Sequence, residues 1–309
     1  MLMAEPGQLV HIHGATTSGA ACATLLERAG IPVQIADSGV VPSGLAVVSR
    51  GLIAELGLER SLLSRPADII VDRKLTEDDA LDADIGPKSV ALVTRDEIVE
   101  ALTGRIDRKA ESSPDNRALS IDASEFRLGD PDLLAEGILP LAGATECILL
   151  DWGDEIVNRA MWMRLTGECL SDVNATASIL TSHGQTTLIL AVPVASVVET
   201  SISVVDVLAR LLAHPSVKSE LPGSEPRSAH ARLIRSGEPV HHTLQGGVKV
   251  RIGAAAGLAD PVVLDRELRS GMIVAEQVGR AIADGRLSLA RLSRIARVWS
   301  SADALAPSS

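Results

Sequence analysis

The sequence predicts an α/β fold in which a Rossmann-like domain with a parallel sheet carries a smaller, β-rich domain. Val10–Asp37 has the order strand, small-residue turn, helix, strand, which is typical of a βαβ unit. Two apolar runs in the middle of the chain, 175–180 and 186–193, are rich in β-branched residues and predict strands. A glycine-bearing turn at 253–257 then precedes a long helical pattern, so the chain is expected to return to the first domain.

The turn after the first strand departs from the dinucleotide-binding pattern at one position. In G-x-G-x-x-G, the first glycine forms the turn, the second lets the backbone approach the pyrophosphate, and the third lets the helix pack on the strand. Gly14 and Gly19 occupy the first and third positions, and Thr16 occupies the second. The Thr16 side chain is expected to crowd the pyrophosphate, whereas the hydroxyls of Thr17 and Ser18 are placed to help hold a phosphate at the helix N-terminus.

Two interpretations of this unit stay open. Asp37 follows the second strand, where an acidic residue usually accepts a hydrogen bond from a ribose hydroxyl. If a nucleotide binds, the first group of cofactor-binding residues is Gly14, Thr16, Thr17, Ser18, Gly19 and Asp37. The alternative is a βαβ unit without a nucleotide, in which Gly14 and Gly19 serve only the turn and the packing.

Composition excludes several classes of function. A net charge of −11 argues against nucleic acid as a ligand, because binding phosphates needs a basic surface. The absence of tyrosine excludes the Tyr-x-x-x-Lys pair of short-chain dehydrogenases. The three cysteines form no C-x-x-C pair, so neither an iron–sulfur cluster nor a zinc ribbon is expected. With no long apolar run and no signal-peptide pattern, the sequence predicts a cytoplasmic protein without a membrane-spanning segment.

Further local patterns predict individual elements. His11 and His13 share one face of the first strand, where pairing with the backbone is the common outcome, so no metal site is predicted. The acidic segments Thr76–Asp84 and Asp151–Glu155 are interpreted as a solvated loop and a solvated helix start. Apolar spacing predicts helices over Leu52–Leu63, Asp96–Ile106, Val198–Leu212, Leu268–Ala283 and Leu289–Ser300.

Several separated segments resemble one family. They are the Val10–Asp37 unit, Val93-Thr94-Arg95 with its following helix, the run from His214 to Gly237, and Arg251–Pro261 before the long helix. Together they are similar to FAD-dependent oxidoreductases of the geranylgeranyl reductase and FixC type. These are related to electron-transfer flavoprotein:quinone oxidoreductase and share the p-hydroxybenzoate hydroxylase-like fold. The resemblance implies FAD as the cofactor and adds Arg95, Gly253, Ala254 and Gly257 to the cofactor-binding residues. For a single arginine such as Arg95, a surface salt bridge is the alternative.

The chain departs from the family at the cofactor contacts. The second motif of the family reads Gly-Asp-Ala-Ala-Gly, and its aspartate holds the ribityl chain; Ala254 stands at that position. Losing a buried acceptor leaves sugar hydroxyls unpaired, at a cost of about 1–3 kcal/mol each. In the Asp-Gly motif of the family, Gly153 matches, but Trp152 stands where the aspartate belongs. Thr16 is the third such departure, so all three fall on contacts to one ligand.

These patterns lead to two functional hypotheses. The first is an FAD-dependent oxidoreductase that passes electrons to a quinone- or isoprenoid-like acceptor, as the resemblance implies. The second is a non-catalytic subunit or scaffold of the same fold that has lost FAD and partners a competent flavoprotein. Either an electron-transfer flavoprotein or a homologous flavoprotein subunit is the expected partner, and self-association is left open. The predicted FAD/NAD(P)-binding domain comprises residues 1–170 with 245–309, and the β-rich domain comprises 171–244.

Overall fold

A computed structural model gives the fold of the chain. It describes residues 9–36, 44–58, 69–76, 80–84, 90–104, 108–109, 119–124, 143–153, 160–182, 184–235, 242–243 and 249–285. The strands run in chain order as β1 Val10–His13, β2 Val33–Ala36, β3 Leu45–Ser49, β4 Ile69–Leu75, β5 Ala80–Asp84, β6 Val90–Thr94, β7 Arg108–Lys109, β8 Leu119–Asp122, β9 Ala144–Trp152, β10 Met161–Gly167, β11 Thr176–Ser182, β12 Gln185–Pro193, β13 Ser228–Arg235, β14 His242–Thr243 and β15 Lys249–Arg251.

A six-stranded sheet forms the Rossmann-like layer of the fold. Its strand order is β14-β15-β8-β1-β2-β7, and β1 pairs in parallel with both β2 and β8. Apolar side chains at alternate positions of these strands are fully buried, as in Ile12, Ile35 and Ile121. The predicted βαβ unit and the parallel sheet are therefore confirmed.

The second large sheet has seven strands in the order β13-β9-β12-β11-β10-β4-β5. Its pairings are antiparallel except for β4 with β10. The interpretation of Thr76–Asp84 as a loop is wrong for Ala80–Asp84, which pairs with β4. Leu81 and Ala83 alternate there with Asp82 and Asp84, a strand period of two that the acidic composition obscured.

The seven-stranded sheet draws its strands from several separate parts of the chain. The predicted division between residues 170 and 171 falls between β10 and β11, which pair with each other. Strands β4, β5 and β9 also join the seven-stranded sheet from earlier parts of the chain. The domain bounds themselves stay a prediction.

The packing of the helices brings together the two glycine turns, residues 14–19 and residues 253–257. Residues 253–256 form a single 3₁₀ turn, and Asp265–Ala283 forms the long helix that packs against the first helix. No helix among the described residues has the length and apolarity to cross a bilayer. The α-helices are α1 Thr17–Arg28, α2 Arg50–Glu55, α3 Arg95–Thr103, α4 Glu168–Ser171, α5 Val194–Thr200, α6 Val204–Ala213, α7 Pro215–Lys218 and α8 Asp265–Ala283.

One predicted helix is divided in two. Val198–Leu212 was expected to be continuous, but α5 ends at Thr200 and α6 begins at Val204. Ser203 starts α6 with a capping box, in which its hydroxyl accepts from the Asp206 N–H and the Asp206 carboxylate accepts from the Ser203 N–H. This local capping competes with helix continuation, so the prediction of one helix is wrong. The predicted Leu289–Ser300 helix and residues 59–63 lie outside the described residues.

Candidate functional site

Thr16 joins the turn after β1 to the end of β8. It is the N-cap of α1, and its Oγ1 accepts a hydrogen bond from the Gly19 N–H at 3.4 Å. The same hydroxyl donates to the Ala123 carbonyl oxygen at 2.7 Å and lies 3.1 Å from Ser18 Oγ. The side chain that replaces the second glycine is thus bonded within the protein.

The two matching glycines are required by close contacts between backbone segments. Gly14 has a φ of +111°, and a Cβ there would lie 2.6 Å from the Ala123 carbonyl oxygen. A Cβ at Gly19 would lie 2.1 Å from the Gly14 carbonyl oxygen. Packing of α1 on the ends of β1 and β8 therefore accounts for both glycines without a ligand.

The second glycine turn packs directly on the first turn of α1. A Cβ at Gly253 would lie 2.1 Å from Ser18 Oγ, and the Gly253 N–H donates to Ser270 Oγ at 2.9 Å. A Cβ at Gly271, in α8, would lie 2.2 Å from the Ser18 carbonyl oxygen. Small residues let α1, the 253–256 turn and α8 come together at Ser18, which is fully buried.

Arg95 and Glu267 form a buried ion pair beside the start of α1. The Arg95 guanidinium lies 3.1 Å from Glu267 Oε1, and the two side chains are 4% and 5% exposed. Glu267 Oε2 also accepts from Thr17 Oγ1 at 2.7 Å, and Arg95 Nη2 donates to the Asp260 carbonyl oxygen at 2.9 Å. The interpretation of Arg95 as a surface salt bridge is wrong, because α8 brings a carboxylate over it.

A second buried pair lies at the carboxyl edge of the parallel sheet. Asp122 ends β8, and its Oδ2 lies 3.8 Å from Arg251 Nε, with the arginine side chain 1% exposed. Asp122 Oδ1 accepts from the Ser124 N–H at 3.1 Å and from the Ser124 hydroxyl at 2.7 Å. Ligands of open α/β sheets bind at this edge. Sequence reasoning missed Asp122, although an acid directly after an apolar strand was a usable signal; for Glu267 there was none.

The segment Asp151–Gly153 lies at the end of β9 in the seven-stranded sheet, not at the glycine turns. Asp151 belongs to β9 in the seven-stranded sheet and is buried, so its interpretation as a solvated helix start is wrong. Its carboxylate accepts from the Thr187 hydroxyl and from Gln185 Nε2 at 3.2 Å. Trp152 is buried as well, and its Nε1 donates to the Ser224 carbonyl oxygen at 3.1 Å.

These contacts do not fit a bound dinucleotide. A cradle for pyrophosphate presents N–H groups and hydroxyls to its ligand, so the protein by itself leaves them open. Here protein atoms cover them: Thr17 is 2% exposed, Ser18 0% and Ala254 3%. Every described residue of the two predicted groups is buried, namely Gly14, Thr16, Thr17, Ser18, Gly19, Arg95, Gly253, Ala254 and Gly257. Asp37 lies outside the described residues.

The cysteines are a separate set of buried groups. Burial raises the pKa of the Cys147 thiol to about 12 and raises the pKa of Cys22 further still. Burial also raises the pKa of Cys169, which is partly exposed on α4. Among the described residues, no three His, Cys, Asp or Glu side chains are arranged to hold a metal ion.

We predict that a thiol reagent labels Cys169 alone in the folded protein at about pH 8.5, the ordinary pKa of a thiol. Cys22 and Cys147 stay protonated and covered there, and both should react once the chain is denatured. The unfolded chain releases thiol protons above that pH while the folded chain keeps them, so stability should fall as pH rises. Mass spectrometry of the labelled protein measures the count, and a Cys169→Ser variant should show no native labelling. Rapid native labelling of Cys22 would contradict the prediction.

Comparison with known proteins identifies the fold of the chain. No protein-family model matches the chain, and no curated protein matches it. Solved structures do match. A geranylgeranyl bacteriochlorophyll reductase-like protein from Thermoplasma acidophilum matches at a TM-score of 0.68 and 14% identity, over 94% of this chain and 82% of that one. The chain has a p-hydroxybenzoate hydroxylase-type, FAD-binding fold.

Other solved structures agree with that fold. Klebsiella pneumoniae HpxO, in complex with FAD and uric acid, matches at a TM-score of 0.61 and 15% identity, over 95% of this chain and 83% of HpxO. The flavin-dependent brominase Bmp2 matches at 0.66 and 15% identity, over 94% of this chain and 83% of Bmp2. The predicted fold class is therefore confirmed, whereas the narrower FixC likeness stays a prediction.

Proposed function

We propose that this chain is a cofactor-free member of the FAD-binding fold that acts as a structural or partner-binding subunit. One observation carries the proposal: the described residues that were expected to hold FAD are buried by protein atoms, and the polar side chains among them bond to other groups of the protein. Thr16, Thr17 and Arg95 each have protein partners in place of a ligand. The protein core occupies the place of the cradle.

Charge supports the same proposal. A pyrophosphate at the start of α1 would approach the buried carboxylate of Glu267, and like charges repel strongly where water is excluded. The one cation among the predicted contact residues, Arg95, is already neutralised by Glu267 and donates to backbone carbonyl oxygens. Breaking this ion pair to admit the ligand would cost about 3–5 kcal/mol, because one buried charge would be left without its partner.

Ala254 also does not suit the ribityl chain of FAD. Ala254 is 3% exposed and belongs to an apolar cluster with Leu45, Val47 and Leu149. A methyl group accepts no hydrogen bond from sugar hydroxyls, so a buried ribityl chain would be left with unpaired donors.

If this chain is a partner-binding subunit, another chain carries out the redox chemistry. Electron transfer to a quinone- or isoprenoid-like acceptor needs a flavin, and under this proposal a partner flavoprotein supplies it. We further propose a cytoplasmic location. All three cysteines are free thiols, which suits a reducing compartment.

The second candidate is an FAD-dependent oxidoreductase, favoured by the fold that the chain shares with FAD enzymes. We predict that the protein purified from cells is colourless and that titrated FAD keeps its free fluorescence. HpxO, prepared in parallel, serves as the positive control. Stoichiometric flavin in the purified protein, or saturable quenching of added FAD, would reject the cofactor-free proposal.

A double variant makes this test sharper. Thr16→Gly with Ala254→Asp restores the two family residues but leaves Glu267 and the packing at Ser18 unchanged. We expect it to take up no FAD either, because the cradle is filled by more than these two side chains. Flavin uptake by the double variant alone would show an intact pocket that lacks two contacts, and would contradict the filled-core argument.

A further inference from the structure

An open groove lies between the C-terminal end of α1 and one face of α8. It has a volume of about 830 Å³ and is also lined by Glu55, the last residue of α2. Small-molecule pockets typically have volumes of about 300–1,000 Å³. Residues of α8 line the groove from Arg269 to Ala283, a distance of roughly 21 Å along the helix. The groove therefore has the size and the length to hold an elongated small molecule.

The wall of the groove that α1 and α8 form is apolar and incompletely covered. Leu25 in α1 and Met272, Ile273 and Ile282 in α8 line it, and each of these four residues is only partly buried. Gly279, which also lines the groove, has no side chain to fill it. Covering apolar surface is worth about 25 cal/mol per Å². An alkyl chain would therefore gain free energy by lying along α8.

Arg269 is a cation in this groove that lacks a counter-ion among the described residues. Its Nε is buried and has no hydrogen-bond partner, and its guanidinium forms no ion pair with a described carboxylate. An arginine whose stem only covers apolar surface keeps its head group in water. Here part of the head group is withdrawn from water without compensation, which is costly for a charged group. Because Arg269 as a whole is only partly buried, an anion in the groove can reach it.

The other charged groups of the groove leave Arg269 without compensation. Glu276 pairs with Arg280, one turn further along α8. Glu55 is exposed, where salt and water screen its charge, and it forms no ion pair with a described residue. Hydrogen bonds between a guanidinium and a carboxylate are about twice as strong as those between neutral groups. A ligand carboxylate is therefore expected at the Arg269 end of the groove.

We propose that this groove binds an alkyl carboxylate of the fatty-acid type, with its carboxylate on Arg269 and its chain over Met272, Ile273 and Ile282. A small anion would leave the apolar wall uncovered, and an uncharged chain would leave Arg269 unpaired. A ligand that has both parts satisfies both sides of the groove. The proposal does not depend on whether the chain binds FAD, because the groove lies at the opposite end of α1 from the glycine turn.

Calorimetric titration of the full-length protein with decanoate tests the proposal. We expect saturable binding with one decanoate per chain. Decanol has the same chain without the charge and should bind more weakly by about tenfold or more, the loss expected for a hydrogen bond to a charged group. Acetate has the charge without the chain and should show no saturable binding. The absence of saturable decanoate binding below its micelle-forming concentration, or equal affinities for decanoate and decanol, would overturn the proposal.

Variants of the two groove arginines locate the carboxylate. Arg269→Met should weaken decanoate binding by about tenfold or more and leave decanol binding unchanged. Arg269→Gln gives the same comparison if the methionine variant does not fold. Arg280→Met is the matched control, since Arg280 lies on the same helix and lines the same groove but already has a partner. Decanoate affinity that is unchanged in the folded Arg269 variant, or that falls more in Arg280→Met, would overturn the proposal.

Discussion

Glu267→Ala is expected to lower the free energy of unfolding by about 3–5 kcal/mol, because it leaves the Arg95 guanidinium buried without its carboxylate. The substitution also removes the acceptor of the Thr17 hydroxyl at the first turn of α1. Equilibrium unfolding in urea, followed by far-UV circular dichroism, measures the loss. The effect should appear as a lower midpoint with an unchanged slope.

Two controls separate the buried pair from charge in general. Glu276 pairs with Arg280 on an exposed face of the same helix, and Glu276→Ala should cost at most about 0.5 kcal/mol. The double variant Arg95→Met with Glu267→Leu removes both charges, so it should lose less than Glu267→Ala alone. Equal losses for Glu267→Ala and Glu276→Ala would refute the buried pair.

Gly14→Ala is expected to destabilise the protein by about 2–6 kcal/mol. A backbone held in a sparsely populated φ/ψ region costs about 1–3 kcal/mol. Overpacking adds about another 1–3 kcal/mol, because the new Cβ would lie 2.6 Å from the Ala123 carbonyl oxygen. The neighbouring atoms are backbone at the end of β8, which has little freedom to move. Urea unfolding again provides the measurement.

The same substitution at Gly51 should have the opposite sign. Gly51 lies in α2 and is exposed, and a Cβ there would meet open space within 4 Å among the described residues. Alanine is the better helix former by about 0.5–1 kcal/mol, so Gly51→Ala should stabilise the protein slightly. A Gly14→Ala variant as stable as wild type would mean that the β1–α1 turn does not pack on β8 as described.

Local elements were predictable because their signals lie within a few residues. The β1–α1–β2 unit follows from one glycine turn and two apolar periods, and the structure has it within a residue or two of the predicted ends. Short-range chemistry also decided one case that the predictions missed. Ser203 and Asp206 cap α6 and divide a helix that apolar spacing alone had joined.

The contacts at the candidate site depended on distant parts of the chain. Glu267 lies 250 residues from Thr17 and 172 from Arg95, yet it bonds to both. In the sequence, Glu267 cannot be distinguished from a solvated acidic residue in the first turn of a helix. Only the close approach of α8 to α1, which Gly271 permits, turns that acid into the buried partner of Arg95.

The fold class and the departures at Thr16 and Ala254 can be recognised in the sequence alone, because turn glycines and strand periods are local properties. How the side chains at those positions are buried and bonded depends on the tertiary structure. Burial and pairing depend on which distant groups meet: here Arg95 pairs with Glu267, and the Gly253 turn packs on Ser18 and bonds to Ser270. Ion pairing and close packing hold this part of the core together, because buried charges and backbone groups must find partners within the protein.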